Sequence, residues 1–237
     1  MKTCLYVALL LFAPVACSTA VAGNKHPTGH VIGDQFVDQR YNVTLKKYGN
    51  WKFGKIADED SANPIHTRCL ISQKNFILPS EWQDNEEKFN APTLGLWVDT
   101  TDMVLDAYAA ELAYTRSKRP SRKELARDFP ILQKGDYVGQ EPTKLAGERA
   151  LLLHYRQPYE VQLEQRGTNN FKLIEEVLLG DVYLVKRDNL VFVLHFTSER
   201  AIYRTANDEA KDIIMSLDLH PKPDSSQSAP PAGHRGQ

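Results

Sequence analysis

The sequence predicts an α+β fold, an α/β/α sandwich with a mainly antiparallel sheet flanked by helices. Three observations point there. The elements run hairpin, strands, helix, antiparallel meander and closing helix, whereas a doubly wound sheet would need strands and helices to alternate. The last strand is apolar on both faces, with Phe192, Leu194 and Phe196 pointing one way and Val191, Val193 and His195 the other, so layers must cover both sides. Hydrophobic residues make up 42% and charged residues 25% of a 237-residue chain, a balance that buries a core and excludes wholesale disorder.

Taken in order, Tyr41–Leu45 and Trp51–Ile56 read as a hairpin through Lys46–Asn50. A polar loop follows over Asp58–Pro64, then strands over Arg68–Gln73 and Thr93–Asp99, separated by an irregular insertion. Asp99 or Thr100 is expected to cap a helix whose apolar face is Val104, Leu105, Tyr108 and Leu112 and which Pro120 stops. Ser121-Arg122-Lys123-Glu124 has the form of a capping box opening a short surface helix that ends before Pro130. Strands are then expected at Tyr137–Glu141, Arg149–Tyr155, Val161–Gln165, Phe171–Leu179, Asp181–Lys186 and Leu190–Phe196. Gly180 is expected at a bulge, because an unbroken strand there would be unusually long. Thr205 is expected to cap the closing helix, with Ala210, Ile213, Ile214 and Leu217 as its buried stripe.

Both ends read as non-globular. Lys2, the apolar run Leu5–Ala16 and the small-residue phrase Ala20-Val21-Ala22 predict a signal peptide over 1–22, too short to span a bilayer. Pro14-Val15-Ala16-Cys17 offers an alternative end, with Cys17 as a lipidation site. Residues 23–34 are expected to be a flexible leader, 35–220 a single domain and 221–237 a disordered tail rich in Pro, Ser and Gly. The predicted location is extracytoplasmic: periplasmic, secreted or tethered as a lipoprotein, with no transmembrane helix in the mature chain.

Trp51-Lys52-Phe53, the segment Leu145-Ala146-Gly147-Glu148-Arg149-Ala150 and the ending Ala210-Lys211-Asp212-Ile213-Ile214-Met215-Ser216-Leu217 together resemble the PsbP/Mog-type fold over most of residues 41–219. That group includes PsbP-like and DcrB-like exported proteins. Leu217 stands where the group usually has an aromatic. The resemblance implies a non-enzymatic binding or accessory role outside the cytoplasm, with no common catalytic set to carry over and no cofactor.

The side chains bear on chemistry as follows. Twenty-nine basic against thirty acidic residues leave a formal charge of −1, which argues against a nucleic-acid partner. Three cysteines make neither a disulfide framework nor a four-thiolate zinc site. No nucleophile elbow, phosphate loop or His-Glu-x-x-His motif is present. Arg116, Lys118, Arg119, Arg122, Lys123 and Arg127 form a local basic patch suited to anionic lipid headgroups, an acidic protein or envelope component, or a polyanion, with a hydrated surface as the plainer reading. Asp58, Glu59, Asp60, His66 and Cys69 gather metal-ligand types without a standard spacing, and a solvated loop beside a buried strand cysteine is the plainer reading. His154 and His195 could act as bases only beside a carboxylate in a cleft; Glu175-Glu176 and the pair Glu160 and Glu164 read as exposed strand positions. Asn42-Val43-Thr44 is a glycosylation sequon. The leading expectation is a non-catalytic envelope binding protein, with a secreted hydrolase or an extracytoplasmic metal-binding protein as alternatives.

Overall fold

The computed structural model describes residues 29–56, 66–113, 123, 125–127, 129–164 and 170–220. The expected signal peptide, Cys17, the acidic loop Asp58–Asp60 and the tail 221–237 lie outside them. An antiparallel seven-stranded sheet dominates, with strand order β4-β5-β6-β10-β9-β8-β7. Its members are β4 (Trp51–Ile56), β5 (His66–Gln73), β6 (Thr93–Thr100), β7 (Asp136–Leu145), β8 (Glu148–Glu164), β9 (Phe171–Arg187) and β10 (Leu190–Glu199). A smaller sheet, order β1-β2-β3-β11, contains β1 (His30–Ile32), β2 (Gln35–Asp38), β3 (Val43–Lys46) and β11 (Asp218–Leu219).

Both faces of the large sheet are covered, as the alternation in β10 requires. On one face Phe192, Leu194, Phe196, Leu152 and Tyr183 pack with the small sheet (Phe36, Val43, Leu45) and with Ala210, Ile213 and Ile214 of α3 (Tyr203–Met215). On the other, Val191, Val193, Val182, Leu184, Leu151 and Leu153 pack under α1 (Leu105–Ala113), the segment around Leu125–Phe129 and α2 (Ile131–Lys134). A third cluster lies where β8 and β9 run on past the sheet, with Val161 and Leu163 against Leu78, Phe89 and Ile202. A 3-10 segment, Ser80–Lys88, occupies the expected insertion, and Trp82 stacks on Phe89 at 5.0 Å.

Several local expectations are corrected. The chain 41–56 is not a hairpin: β3 pairs with β2 and β11, while β4 pairs with β5 at the edge of the other sheet. Two β-type runs joined by a turn fix proximity, but the partner is chosen by which apolar face each can bury. β1 pairs with β2 (Ile32↔Gln35), so residues 30–32 of the expected leader are strand. β8 and β9 are each 17 residues long and pair without a break from Ala150↔Val185 to Glu164↔Phe171. Gly180 is therefore no bulge. A Cβ there would lie 3.0 Å from Ile131 Cδ1 and 3.2 Å from Phe129, so the glycine lets the α2 segment sit directly on the sheet.

The helices differ at their ends. Before α1 it is Thr101 Oγ1 that accepts a backbone N–H, from Met103, while Asp99 accepts from the Tyr108 hydroxyl. Val104 is exposed, and Ala109 takes its place on the buried face. The short helix expected near residue 123 is no surface turn, since Leu125, Ala126, Phe129, Ile131 and Leu132 are all buried. α3 starts two residues before Thr205 and has no side-chain cap. Its far end is tied down by Ser216, whose hydroxyl accepts the Lys46 N–H at 2.8 Å and so joins the helix to β3. That bond gives the serine of the closing phrase a structural task.

The two sheets are also joined by a buried ion pair. Arg68 of β5 places Nε and Nη2 each 2.6 Å from Asp38 Oδ2 of β2, and the two side chains are only 2% and 0% exposed. Asp38 also accepts the Arg40 N–H, and the guanidinium lies 5.0 Å over the Tyr41 ring. Removing one partner strands a charge in the core, so Asp38→Ala is expected to cost about 3–5 kcal/mol. The double variant Asp38→Leu with Arg68→Met should recover most of that loss. Urea-unfolding midpoints of the set test this, and equal losses in the single and double variants would refute it.

Candidate functional site

Two histidines flagged by the sequence sit on opposite faces of the large sheet. On the α3 face, His154 Nδ1 of β8 lies 2.8 Å from Asp181 Oδ1, directly across the ladder on β9. A carboxylate only accepts, so the proton of this bond sits on Nδ1. Asp181 Oδ2 accepts a second hydrogen bond, from the Tyr203 hydroxyl in the first turn of α3. Asp181 is almost wholly buried, while the imidazole is 37% exposed, with Glu141 Oε1 of β7 lying 4.0 Å from Nε2. Burial, and after it the Asp181 carboxylate, push the Tyr203 hydroxyl well above the usual tyrosine range. The Tyr183 hydroxyl is pushed up to about 12 by burial, then by Asp181 and Glu141.

On the other face lies a cavity of about 380 Å³. Its floor is the sheet, contributing Gln157 of β8, Leu178 of β9, and His195 and Thr197 of β10. One wall is Phe129, Pro130, Ile131 and Lys134, and the other is Asn90 and Ala91 before β6 with Thr93 at its start. His195 is buried, with its ring 4.4 Å from that of Phe129. Its partner across the ladder is Gly95, where a Cβ would come within 2.3 Å of Nε2. A glycine is thus required beneath the imidazole. Beyond Thr197 on this face, Glu199 is fully buried, and its Oε1 accepts both the Asn90 N–H and the Asn90 side-chain amide at 2.9 Å. Burial raises the neighbouring Tyr159 hydroxyl far above its ordinary value, and Glu199 raises it further.

The other sequence-derived groups distribute unevenly. Of the basic patch, Lys123 and Arg127 are exposed, while Arg116, Lys118, Arg119 and Arg122 lie outside the described residues. Cys69 is fully buried in the core, where burial pushes its thiol far above the usual range. Glu160 faces Glu175 across the ladder, and both are exposed, as is Glu164. Glu176, by contrast, is 1% exposed, with Oε1 accepting the Val177 N–H and Arg200 Nε 3.7 Å away. Its expected exposure is overturned because the β9 arm is covered on that side. Asn42 stands in the turn before β3, half-buried, with φ of 50°. Sequence reasoning missed Asp181 and the cavity lining. A single aspartate inside Val177–Val185 was the signal for the first; the second is assembled from five separate stretches of chain and, His195 apart, had none.

The tyrosines predict a pH dependence with a definite sign. Their folded pKa values lie above the unfolded value near 10. Their contribution to stability is thus fully present below pH 10 and is lost as pH rises through the folded values, from about 12 for Tyr183 upward. The urea midpoint is expected to fall above pH 10, and less steeply in Tyr203→Phe and Tyr183→Phe. Identical slopes in the variants and the parent would contradict the assignment.

No family model matches this chain, and no curated protein matches it. Among solved structures, similarity is found to cyanobacterial PsbP (CyanoP) from Synechocystis sp. PCC 6803, at 10% identity over 78% of this chain and 91% of that one, with a TM-score of 0.44. Mycobacterium tuberculosis LpqN, described as involved in cell envelope biogenesis, is similar at 15% identity over 76% and 83%, with a TM-score of 0.39. A protein of unknown function, PA94 from Pseudomonas aeruginosa, is similar at 12% identity over 84% and 99%, with a TM-score of 0.37. A PsbP, the type that the sequence phrases resemble, is thus among these structures.

Proposed function

We propose that the chain is a non-catalytic, exported binding or accessory protein of the cell envelope, with the cavity on the α2 side as its ligand site. The observation that carries this reading is the cavity's make-up. It has the size of a small-molecule site and mixes apolar walls with a few convergent polar groups. His154 does meet a buried carboxylate, but on the far face of the sheet from this recess. Among the described residues no carboxylate lines the cavity itself.

Export is supported by Lys2, Leu5–Ala16 and Ala20-Val21-Ala22, and tethering by Cys17 is the finer alternative. Among the described residues no helix is long and apolar enough to cross a membrane. Arg116, Lys118, Arg119, Arg122, Lys123 and Arg127 would dock an acidic envelope partner, and they precede the cavity wall Phe129–Lys134 in the chain.

Intact mass and fractionation from the native host test the location. Either Gly23 at the N-terminus of a soluble species or a lipidated Cys17 in the membrane fraction is expected; an uncleaved chain in the cytoplasm would sink the export reading. Charge reversal at Arg119 and Lys123 should leave the thermal midpoint unchanged and lower the salt needed to elute the protein from heparin. Unaltered elution makes the patch ordinary surface.

A hydrolase is the second reading, and the Tyr203–Asp181–His154 chain is the observation in its favour, because it presents an oriented base to solvent. Ester hydrolysis that is lost in His154→Ala, with the fold intact, would establish it. The same residual rate in parent and variant would eliminate it.

A further inference from the structure

We infer that the cavity takes a small organic carboxylate with an apolar body, the negative group at the Lys134 end and the apolar part against Phe129, Ile131 and Leu178. The inference rests on the cavity being a ligand site and adds the chemical class of what it binds. Three polar side chains of the lining, Lys134, Gln157 and Thr197, have no hydrogen-bond or ion-pair partner among the described residues. They supply an ammonium, an amide and a hydroxyl.

The charge balance selects the sign of the ligand. Lys134 is a full cation at the wall, and a positive ligand would meet it with no lining carboxylate to compensate. Glu199, the buried carboxylate beyond Thr197 on this face, is not part of the lining: its Oε1 accepts two donors from Asn90, while its Oε2 is buried without a hydrogen-bond partner among the described residues. A carboxylate, in turn, accepts from Lys134, and its two oxygens leave capacity for the Gln157 amide and the Thr197 hydroxyl. The imidazole of His195, tilted 37° to the Phe129 ring at 4.4 Å, closes the floor.

Shape sets the body of the ligand. The apolar lining is an aromatic ring, a proline, a branched aliphatic chain and a leucine, enough to cover a ring or a short acyl chain but too little for a long lipid tail. So few apolar groups can take only a small apolar ligand surface out of water. Affinity therefore depends on the charged end.

Three probes of one shape and different charge decide the matter: 3-phenylpropanoate, its neutral amide, and 3-phenylpropylamine, titrated into the full chain by calorimetry and ligand-observed NMR. The acid is expected to bind at least tenfold more tightly than the amide, and the amine not at all. Lys134→Gln, an exposed position, should bring acid and amide to parity, and Thr197→Leu should weaken both. Equal binding of acid and amide that Thr197→Leu abolishes would overturn the carboxylate assignment and leave the ligand site standing, as would preference for the amine. Binding of none of the three, or binding indifferent to both substitutions, would overturn the inference. In that case an unchanged mass spectrum of the protein isolated from its host, free of any bound small molecule, would remove the ligand site as well.

Discussion

A sheet that is apolar on both faces is the constraint from which the rest of this structure follows. Val191 and Val193 cannot be hidden by whatever hides Phe192, Leu194 and Phe196, because successive side chains on a strand point to opposite sides. Two independent covers are needed. The chain provides one from its two ends, the small sheet and α3, and the other from its middle, α1 with the run through Leu125 to α2. The first cover brings distant parts of the sequence together, so it requires long-range fasteners. Arg68 with Asp38, and Ser216 with Lys46, are among the polar ones.

The second cover stops short, and the cavity is what lies beyond its edge. Along that face of β10 the residues pass from Val191 and Val193 to His195, Thr197 and Glu199, and along β9 from Leu184 and Val182 to Gly180, Leu178 and Glu176. The apolar character runs out over the same few rungs on both strands. α2 is pressed onto the last apolar rungs by the missing side chain at Gly180, and the next cover, the 3-10 segment, begins only over Val161 and Leu163. Between these two covers the sheet presents polar groups to a recess rather than to a core. Packing and chemistry change at the same place because one sequence gradient causes both.

Much of this was legible in the sequence, and the parts that were not share a cause. Alternation alone placed Phe192, Leu194 and Phe196 opposite Val191, Val193 and His195, and helical spacing found Leu105, Tyr108 and Leu112. Local signals misled where tertiary contacts overrule them. Gly180 looks like an interruption in a strand, yet it is explained by Ile131, nearly fifty positions earlier, which no strand rule consults. Tyr41–Ile56 looks like a hairpin, but its halves are claimed by different sheets. The basic patch was found by counting charges and needs no fold. The cavity needs β6, β8, β9, β10 and α2 to be placed first. Asp181 falls between these cases, since an isolated aspartate in an apolar run announces a buried partner without naming it.

The contrast between the two polar constellations argues for where ligand chemistry belongs. Burying a carboxylate is costly unless its oxygens are satisfied. On the α3 face this is done from within, because Asp181 receives His154 from the neighbouring strand and Tyr203 from the helix above it. That arrangement ties the first turn of α3 to β8 and β9, and a structural role accounts for every bond in it. Behind the cavity wall Glu199 is met by Asn90 on one oxygen only, and its buried Oε2 has no hydrogen-bond partner among the described residues. In the recess itself the pattern changes: Lys134, Gln157 and Thr197 are held at its edge by a strand, a second strand and a short helix, yet none is used to satisfy another. Polar groups that cross-link elements are explained by the fold they stabilise. Polar groups fixed by rigid elements and turned toward a shared space have no such explanation, and a ligand that takes up their hydrogen bonds supplies one.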